Sequence, residues 1–224
     1  MIRRCVFVTG ATGYMGSSLA AALLARGHRI RVLVRNASAS PLSQAVKSGA
    51  TLVSGNALDF TTFADAVAPA DTLVHLVGTR HPSPAKAASF VKVDLASVDA
   101  ALNVALKTGI RHFVYVSVAQ PAPVMRAYVA ARQAAEARIR ASGISATILR
   151  PWYVLGPGHR WPYLLMPLYA LCELLPQTRE GARRLGMVTL DQMVQALVAS
   201  IEHGPDGVRI IDVPAIRAAT VVKN

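Results

Sequence analysis

Short runs rich in valine, isoleucine and leucine alternate, over the first 150 positions, with stretches in which small apolar residues recur every three or four places. The runs at Arg4 to Val8, Arg29 to Val34, Thr51 to Ser54, Thr72 to Val77, His112 to Val116 and Ala146 to Leu149 predict buried strands. Between them, Tyr14 to Ala25, Pro41 to Lys47, Thr61 to Val67, Ser89 to Lys107 and Arg126 to Ala141 predict helices. Gly109 and Gly143 stand where C-terminal caps belong. Alternation of this kind predicts an α/β fold, a parallel sheet wound on both faces by helices.

Beyond Arg150-Pro151 the rhythm changes. Gly156-Pro157-Gly158 breaks the chain, and a helix from Leu190 to Glu202 and a last strand from Val208 to Val213 follow. The expected organisation is a main domain over residues 1–155 and a small, integrated C-terminal region over 156–224, whose last strand could rejoin the main sheet. The apolar stretch from Trp161 to Leu175 is too short and too proline-marked to span a bilayer. Its default reading is a helix packed on the core. A lid over an apolar substrate pocket comes next, and a surface resting on a membrane or partner protein last.

A length of 224 residues suits one domain with a substantial core, and 53% hydrophobic against 16% charged residues describes a globular chain. The net charge of +12 raises nucleic acid, anionic membranes and phosphorylated ligands as partners. The basic residues are scattered over Arg3/Arg4, Arg26 to Arg35, Arg126 to Arg140 and Arg179 to Arg184, with no long run and no nucleic-acid module. The expectation is therefore no nucleic acid, and a field that steers an anionic cofactor. Cys5 and Cys172 have neither disulfide-framework nor metal-ligand spacing. The chain enters a strand at once, so no leader is expected and cytoplasmic residence follows by default.

The strongest local signal is Thr9-Gly10-Ala11-Thr12-Gly13-Tyr14-Met15-Gly16, joining the first strand to the first helix. Gly10 permits a tight reversal, Gly13 lets bare backbone approach a dinucleotide pyrophosphate at the helix start, and Gly16 lets that helix pack closely on the strands. Such a triplet between strand and helix is specific for nucleotide binding.

Three further segments join this turn: Phe113-Val114-Tyr115-Val116-Ser117, Tyr128-Val129-Ala130-Ala131-Arg132, and Arg150-Pro151 through Gly156-Pro157-Gly158. Together they make the chain resemble the short-chain dehydrogenase/reductase superfamily, in the atypical and extended branch of NAD(P)-dependent epimerase/dehydratase-like and NmrA-like NAD(P)H-binding proteins. The resemblance covers about the first 160 residues and implies a Rossmann-type doubly wound sheet. It places the pyrophosphate against Gly10, Thr12, Gly13, Tyr14, Met15 and Gly16, and the adenosine near Asn56, Ala57, Leu76, Val77 and Gly78. Pro151 follows the strand expected beside the nicotinamide.

Arg35 ends the second strand, where the adenosine ribose is met in this architecture. A guanidinium attracts the 2′-phosphate of NADP, whereas a carboxylate would grip the ribose hydroxyls of NAD. NADP is therefore the expected cofactor, with NAD less favoured; otherwise Arg35 stacks on adenine or faces water. Asn56 replaces the acidic residue of the family, though its amide can meet a purine edge. His75 is expected to be an ordinary core or surface histidine.

Ser117, Tyr128 and Arg132 are the catalytic candidates. A serine hydroxyl can hold a carbonyl oxygen that gains charge, and a tyrosine can supply its proton if a cation four residues along the helix stabilises the phenolate. That cation is Arg132, where the family has lysine. Arg132 could instead form a surface i,i+4 pair with Glu136, and Ser117 could cap the turn after its strand.

The resemblance and these residues imply an NADP-dependent oxidoreductase acting on a small, apolar carbonyl or alcohol. The alternatives are a nucleotide-binding sensor or interaction subunit without turnover and, lower, a nucleotide-sugar epimerase or dehydratase. Helices Ser89 to Lys107 and Arg126 to Ala141 are the expected faces of a homodimer, by analogy of fold.

Overall fold

The computed structural model describes residues 3–36, 49–79, 82–157 and 164–219. Its main sheet contains β1 (Cys5–Thr9), β2 (Arg29–Val34), β3 (Thr51–Ser54), β4 (Thr72–His75), β5 (His112–Val116), β6 (Ala146–Leu149) and β9 (Val208–Ile211). The strand order is β3-β2-β1-β4-β5-β6-β9, every pair parallel. A smaller parallel pair joins β7 (Tyr153–Leu155) to β8 (Met187–Thr189).

The helices are α1 (Tyr14–Ala25), α2 (Ala96–Lys107), α3 (Arg126–Ala141), α4 (Met166–Leu174), α5 (Pro176–Arg184), α6 (Leu190–Glu202) and α7 (Val213–Ala218). The pleat of the strands sorts their side chains into two cores. Val6, Val8, Val32, Val74 and Val114 face a layer that includes α1 and α6. Cys5, Phe7, Leu33, Leu73, Phe113 and Tyr115 face one that includes α2 and α3. Both sheet faces are thus covered, which explains why the strand runs are apolar at successive rather than alternate positions.

Most predicted elements lie where the periodicity puts them, with five departures. The first strand starts at Cys5 rather than Arg4. Thr61 to Val67 is not one helix but two 3₁₀ turns, Phe60–Thr62 and Ala64–Ala66, broken at Phe63, which is buried against Phe7. β4 stops at His75, because Leu76 to Gly78 leave the sheet at the turn that closes over Gly10. Before α2 the expected helix is wound as a π-helical stretch, Phe90–Leu95. The last strand ends at Ile211; Asp212 then caps α7 by accepting from the Ala215 N–H, so Val213 belongs to a helix. The predicted helix Pro41 to Lys47 lies outside the described residues.

β9 lies in the main sheet beside β6. α6 returns the chain under the first core, where a capping box at Thr189 and Gln192 starts it and Glu202 near its end pairs with Arg26 and His28 beyond α1. The stretch around α4 is not packed in the core: Leu164, Leu168, Leu171, Leu174 and Leu175 are exposed. Residues 161–163 of the apolar stretch lie outside the described residues. Among the described residues, no helix is long and apolar enough to cross a membrane.

Candidate active site

The order of strands reverses between β1 and β4, and the crevice above their carboxyl ends is where open α/β sheets take ligands. The turn after β1 occupies that place. Gly10 has φ +76°, and a Cβ there would lie 2.7 Å from the Leu76 carbonyl carbon, so only glycine fits under the turn after β4. At Gly16 a Cβ would meet the Gly10 oxygen at 2.3 Å, locking α1 against its own turn. The helix starts at Gly13 with no capping side chain and no acidic residue in its first turn. The Gly13 N–H donates to the Gly10 carbonyl at 3.0 Å, but no side chain competes with an anion for the N–H groups of the first helical turn beyond it, and the turn fits a dinucleotide pyrophosphate.

Arg35 and Asn56 follow β2 and β3, side by side on the sheet, and both are exposed. The Asn56 side-chain oxygen accepts the Leu58 N–H at 3.1 Å and its backbone N–H donates to Thr62 Oγ1 at 2.9 Å. That oxygen is committed to the turn, which leaves the amide NH₂ as its outward group. Ala57 is half-buried against the second core.

At the other end lies a cavity of about 460 Å³. It gathers Tyr14 and Met15 from α1, Leu76 and Val77 after β4, Ser117 after β5, Tyr128 and Arg132 from α3, and Pro151 after β6. Eight residues singled out in the sequence thus meet at one wall. Gly10, Thr12, Gly13, Gly16, Arg35, Asn56, Ala57 and Gly78 do not line it; most belong to the turn and the strand ends beyond.

Arg132 does not take up its alternative reading, a surface pair with Glu136. It is 6% exposed rather than on the surface, and it pairs with Asp94, not Glu136. Its Nη2 donates to Asp94 Oδ1 at 2.6 Å, and its Nη1 donates to the Tyr115 hydroxyl and the Val116 carbonyl at 3.0 Å each. Asp94 is itself 1% exposed and accepts the backbone N–H and the hydroxyl of Thr79 on its other oxygen. A Cβ at Gly78 would lie 2.5 Å from Arg132 Nη2, so that glycine makes room for the guanidinium.

Burial works against the charge of Arg132, but Tyr128, Tyr115 and Asp94 outweigh it and hold the group above its ordinary range. Its carbon lies 5.1 Å from the centre of the Tyr128 ring, an electrostatic contact with the ring face rather than a hydrogen bond to the phenol. Its Nε–H is buried and has no acceptor among the described residues. Burial pushes the Tyr115 phenol up to about 12, so that hydroxyl stays protonated.

Ser117 is held differently. Its hydroxyl donates to Glu136 Oε1 at 2.6 Å, and Glu136, 1% exposed, also accepts from Gln120, Arg140 and both arms of Arg150. Burial alone would raise the Glu136 carboxyl, but Arg150, Ser117 and Arg140 lower it, so the group is an anion. Because the other donors would still satisfy that anion, the serine proton can turn towards a ligand at small cost.

His75 is a buried core histidine, bonded to Thr9 and Ser97, and burial together with Arg132 lowers it to about 3.

Asp94, Thr79 and Gln120 were missed by sequence reasoning, and Glu136 was read there only as a surface partner of Arg132. A signal existed for one of them: Val129, Arg132, Glu136 and Ile139 share the buried stripe of α3, so both charges had to face inward. Nothing in the local pattern marks Asp94 or Thr79: Arg132 lies 38 residues from Asp94, and Thr79 lies 15 residues from it.

A family model described as NAD(P)H-binding matches residues 10–160. Among curated proteins the chain is similar to a ceramide reductase of Caulobacter vibrioides, 31% identical over 198 residues, covering 88% of this chain and 61% of that protein. It thus spans about three fifths of that relative's length. It is also similar to a 3-diazoavenalumate denitrifying reductase of a Streptomyces species, 28% identical over 229 residues, covering 90% of this chain and 73% of the other. Among solved structures, the Bordetella bronchiseptica enzyme WbmH in complex with NAD+ matches with TM-score 0.68 at 19% identity, covering 94% of this chain and 76% of that one. A UDP-glucose 4-epimerase from Thermotoga maritima matches with TM-score 0.66 at 18% identity, over 93% and 76%. These two are likenesses of fold.

Proposed function

The chain belongs to the NAD(P)H-binding family, and from that premise we propose that it is an NADP-dependent oxidoreductase acting on a small, apolar carbonyl or the corresponding alcohol. The observation that carries this is the single cavity in which Ser117, Tyr128 and Arg132 meet the Tyr14–Met15 end of the nucleotide turn. Its remaining wall is largely apolar, with Pro82, Val118, Met125, Trp152 and Val154. The reductase names of the relatives support the reaction class, and the ceramide reductase supports an apolar, lipid-like substrate.

The residues fit the cofactor: the glycine cradle would take the pyrophosphate, Arg35 would meet the 2′-phosphate, and the unfilled Arg132 Nε–H would be a donor for a ribose hydroxyl. A bound nicotinamide supplies or accepts the hydride. Tyr128 delivers the proton to the carbonyl oxygen, and Ser117 turns its hydroxyl from Glu136 to hold that oxygen as its charge grows. Arg132, kept cationic and immobile by Asp94, stabilises the Tyr128 phenolate through the ring face. Oxidation of NADPH with a panel of apolar ketones and aldehydes tests this. Turnover should collapse in Tyr128→Phe, and a variant that keeps full activity refutes the acid–base role.

A second reading, nucleotide binding without turnover, is favoured by one observation: the Ser117 proton and the Arg132 amino groups are already bonded within the protein. Calorimetry separates the two. Tight binding of NADP and NADPH without turnover on any carbonyl selects the sensor, and failure to bind either nucleotide defeats both.

A further inference from the structure

Leu168 and Leu171, three apart on one stripe of α4, stand out into solvent together with Leu164 just before the helix and Leu175, in extended backbone, at its end. Leu164 is 84% exposed and Leu174, beside the stripe, 72%. Single exposed leucines are ordinary; five within twelve residues form a contiguous apolar ridge that marks a contact surface. Tyr169, on the same helix, is half-buried beside Trp152. Trp152 also lines the cavity.

Charge identifies what covers it. The Arg179 guanidinium donates to the carbonyls of Glu173 and Leu174, which seats a cation at the end of the ridge. Arg183 is exposed one turn further along α5, with Arg184 next to it, and Arg217 reaches Glu173 at 3.4 Å. The two helices themselves carry three arginines, Arg179, Arg183 and Arg184, against Glu180 and Glu173, the latter met by Arg217. A leucine ridge ending in arginines suits an interface whose apolar interior is bounded by anionic groups. The net charge of +12 draws the chain to such a surface and opposes a second copy of itself. Leu168 also borders a groove of about 530 Å³ whose lining mixes Tyr169, Cys172, Ala182 and Leu185 with the polar Gln177, Thr178, Glu180 and Arg184.

We propose that α4 and α5 form a docking surface for anionic phospholipid membranes, on which the protein rests peripherally with the α4 ridge in the acyl boundary. This goes beyond the proposed reaction and does not depend on it.

The test is flotation of the whole chain with vesicles of phosphatidylcholine alone or with about one third phosphatidylglycerol. The expected result is co-flotation with the anionic vesicles, weakened as salt rises. Leu168→Gln/Leu171→Gln should lower the partition coefficient at least about tenfold, as expected for withdrawing two leucines from an apolar phase. Arg179→Gln/Arg183→Gln should flatten the salt dependence. NADP binding measured by calorimetry should be unchanged in both variants, which keeps the test separate from the catalytic reading and reports an intact fold. Equal flotation of wild type and the leucine variant, or no flotation at low salt, overturns the proposal. So does a wild-type dimer that the leucine substitutions convert to monomer, because a second copy then covers the ridge.

Discussion

Removing either partner of the Arg132–Asp94 pair should destabilise the protein more than any surface substitution, and removing both should cost much less than the sum. The two side chains are 7% and 1% exposed and meet at 2.6 Å, so neither can exchange its partner for water. Breaking a buried pair by deleting one member strands an uncompensated charge and costs about 3–5 kcal/mol. Asp94→Leu also leaves the Thr79 hydroxyl without its acceptor; Arg132→Met leaves Asp94 with Thr79 alone and frees the Tyr115 hydroxyl. For a chain of this size, about 2–4 °C per kcal/mol converts either loss into a fall in Tm of about 6–20 °C. In the double variant no charge is stranded, and the coupling energy should reach about 2 kcal/mol or more. Urea denaturation followed by circular dichroism, extrapolated to water for the four proteins of the cycle, measures it. Additivity within about 0.5 kcal/mol would show that the pair is not a closed buried unit, and the placement of Arg132 would fall with it.

Gly16→Ala places a methyl 2.3 Å from the Gly10 oxygen, so the turn must open; NADP affinity by calorimetry should drop at least about tenfold with about 1–3 kcal/mol of stability, and unchanged values for both would defeat the cradle. Arg35→Asp should lower NADP affinity by about tenfold or more and favour NAD, whereas equal NADP affinity in the variant would remove Arg35 from the site. His75 and His112 are lowered from 6.5 to about 3 and about 4, chiefly by burial, so the unfolded chain takes up protons that the folded one refuses. Stability is then full above pH 6.5 and declines as the pH falls, by about 2 kcal/mol for each histidine down to pH 5. In His75→Gln that slope, followed by urea titration at several pH values, should be about halved. A slope equal to wild type would mean that His75 titrates normally.

Much of the fold is legible in the chain because its determinants are local. α1, α3, α6, β2, β3, β5 and β6 run between the residues that periodicity and glycine punctuation indicate, and the turn at Gly10, Gly13 and Gly16 needs only its flanking strand and helix to be understood. The departures occur where distant groups intervene. Phe63 leaves the helical path of its segment to stack on Phe7, and the Leu76 turn ends β4 early because it must close over Gly10. The α4 stretch, apolar enough for a core, is exposed, since apolar composition records what a helix could bury and not whether a partner layer is present.

What the sequence determines by itself is therefore the parallel sheet, the nucleotide turn and the arrival of Ser117 and Tyr128 near it. Only the tertiary structure decides the state of the charges around them. Arg132 and Glu136, one turn apart on α3, look like each other's partners, yet burial drives each to a stronger acceptor or donor from another element, Asp94 before α2 and Arg150 after β6. A buried charge cannot be left to water, so it is assigned by whatever the folded chain brings within reach.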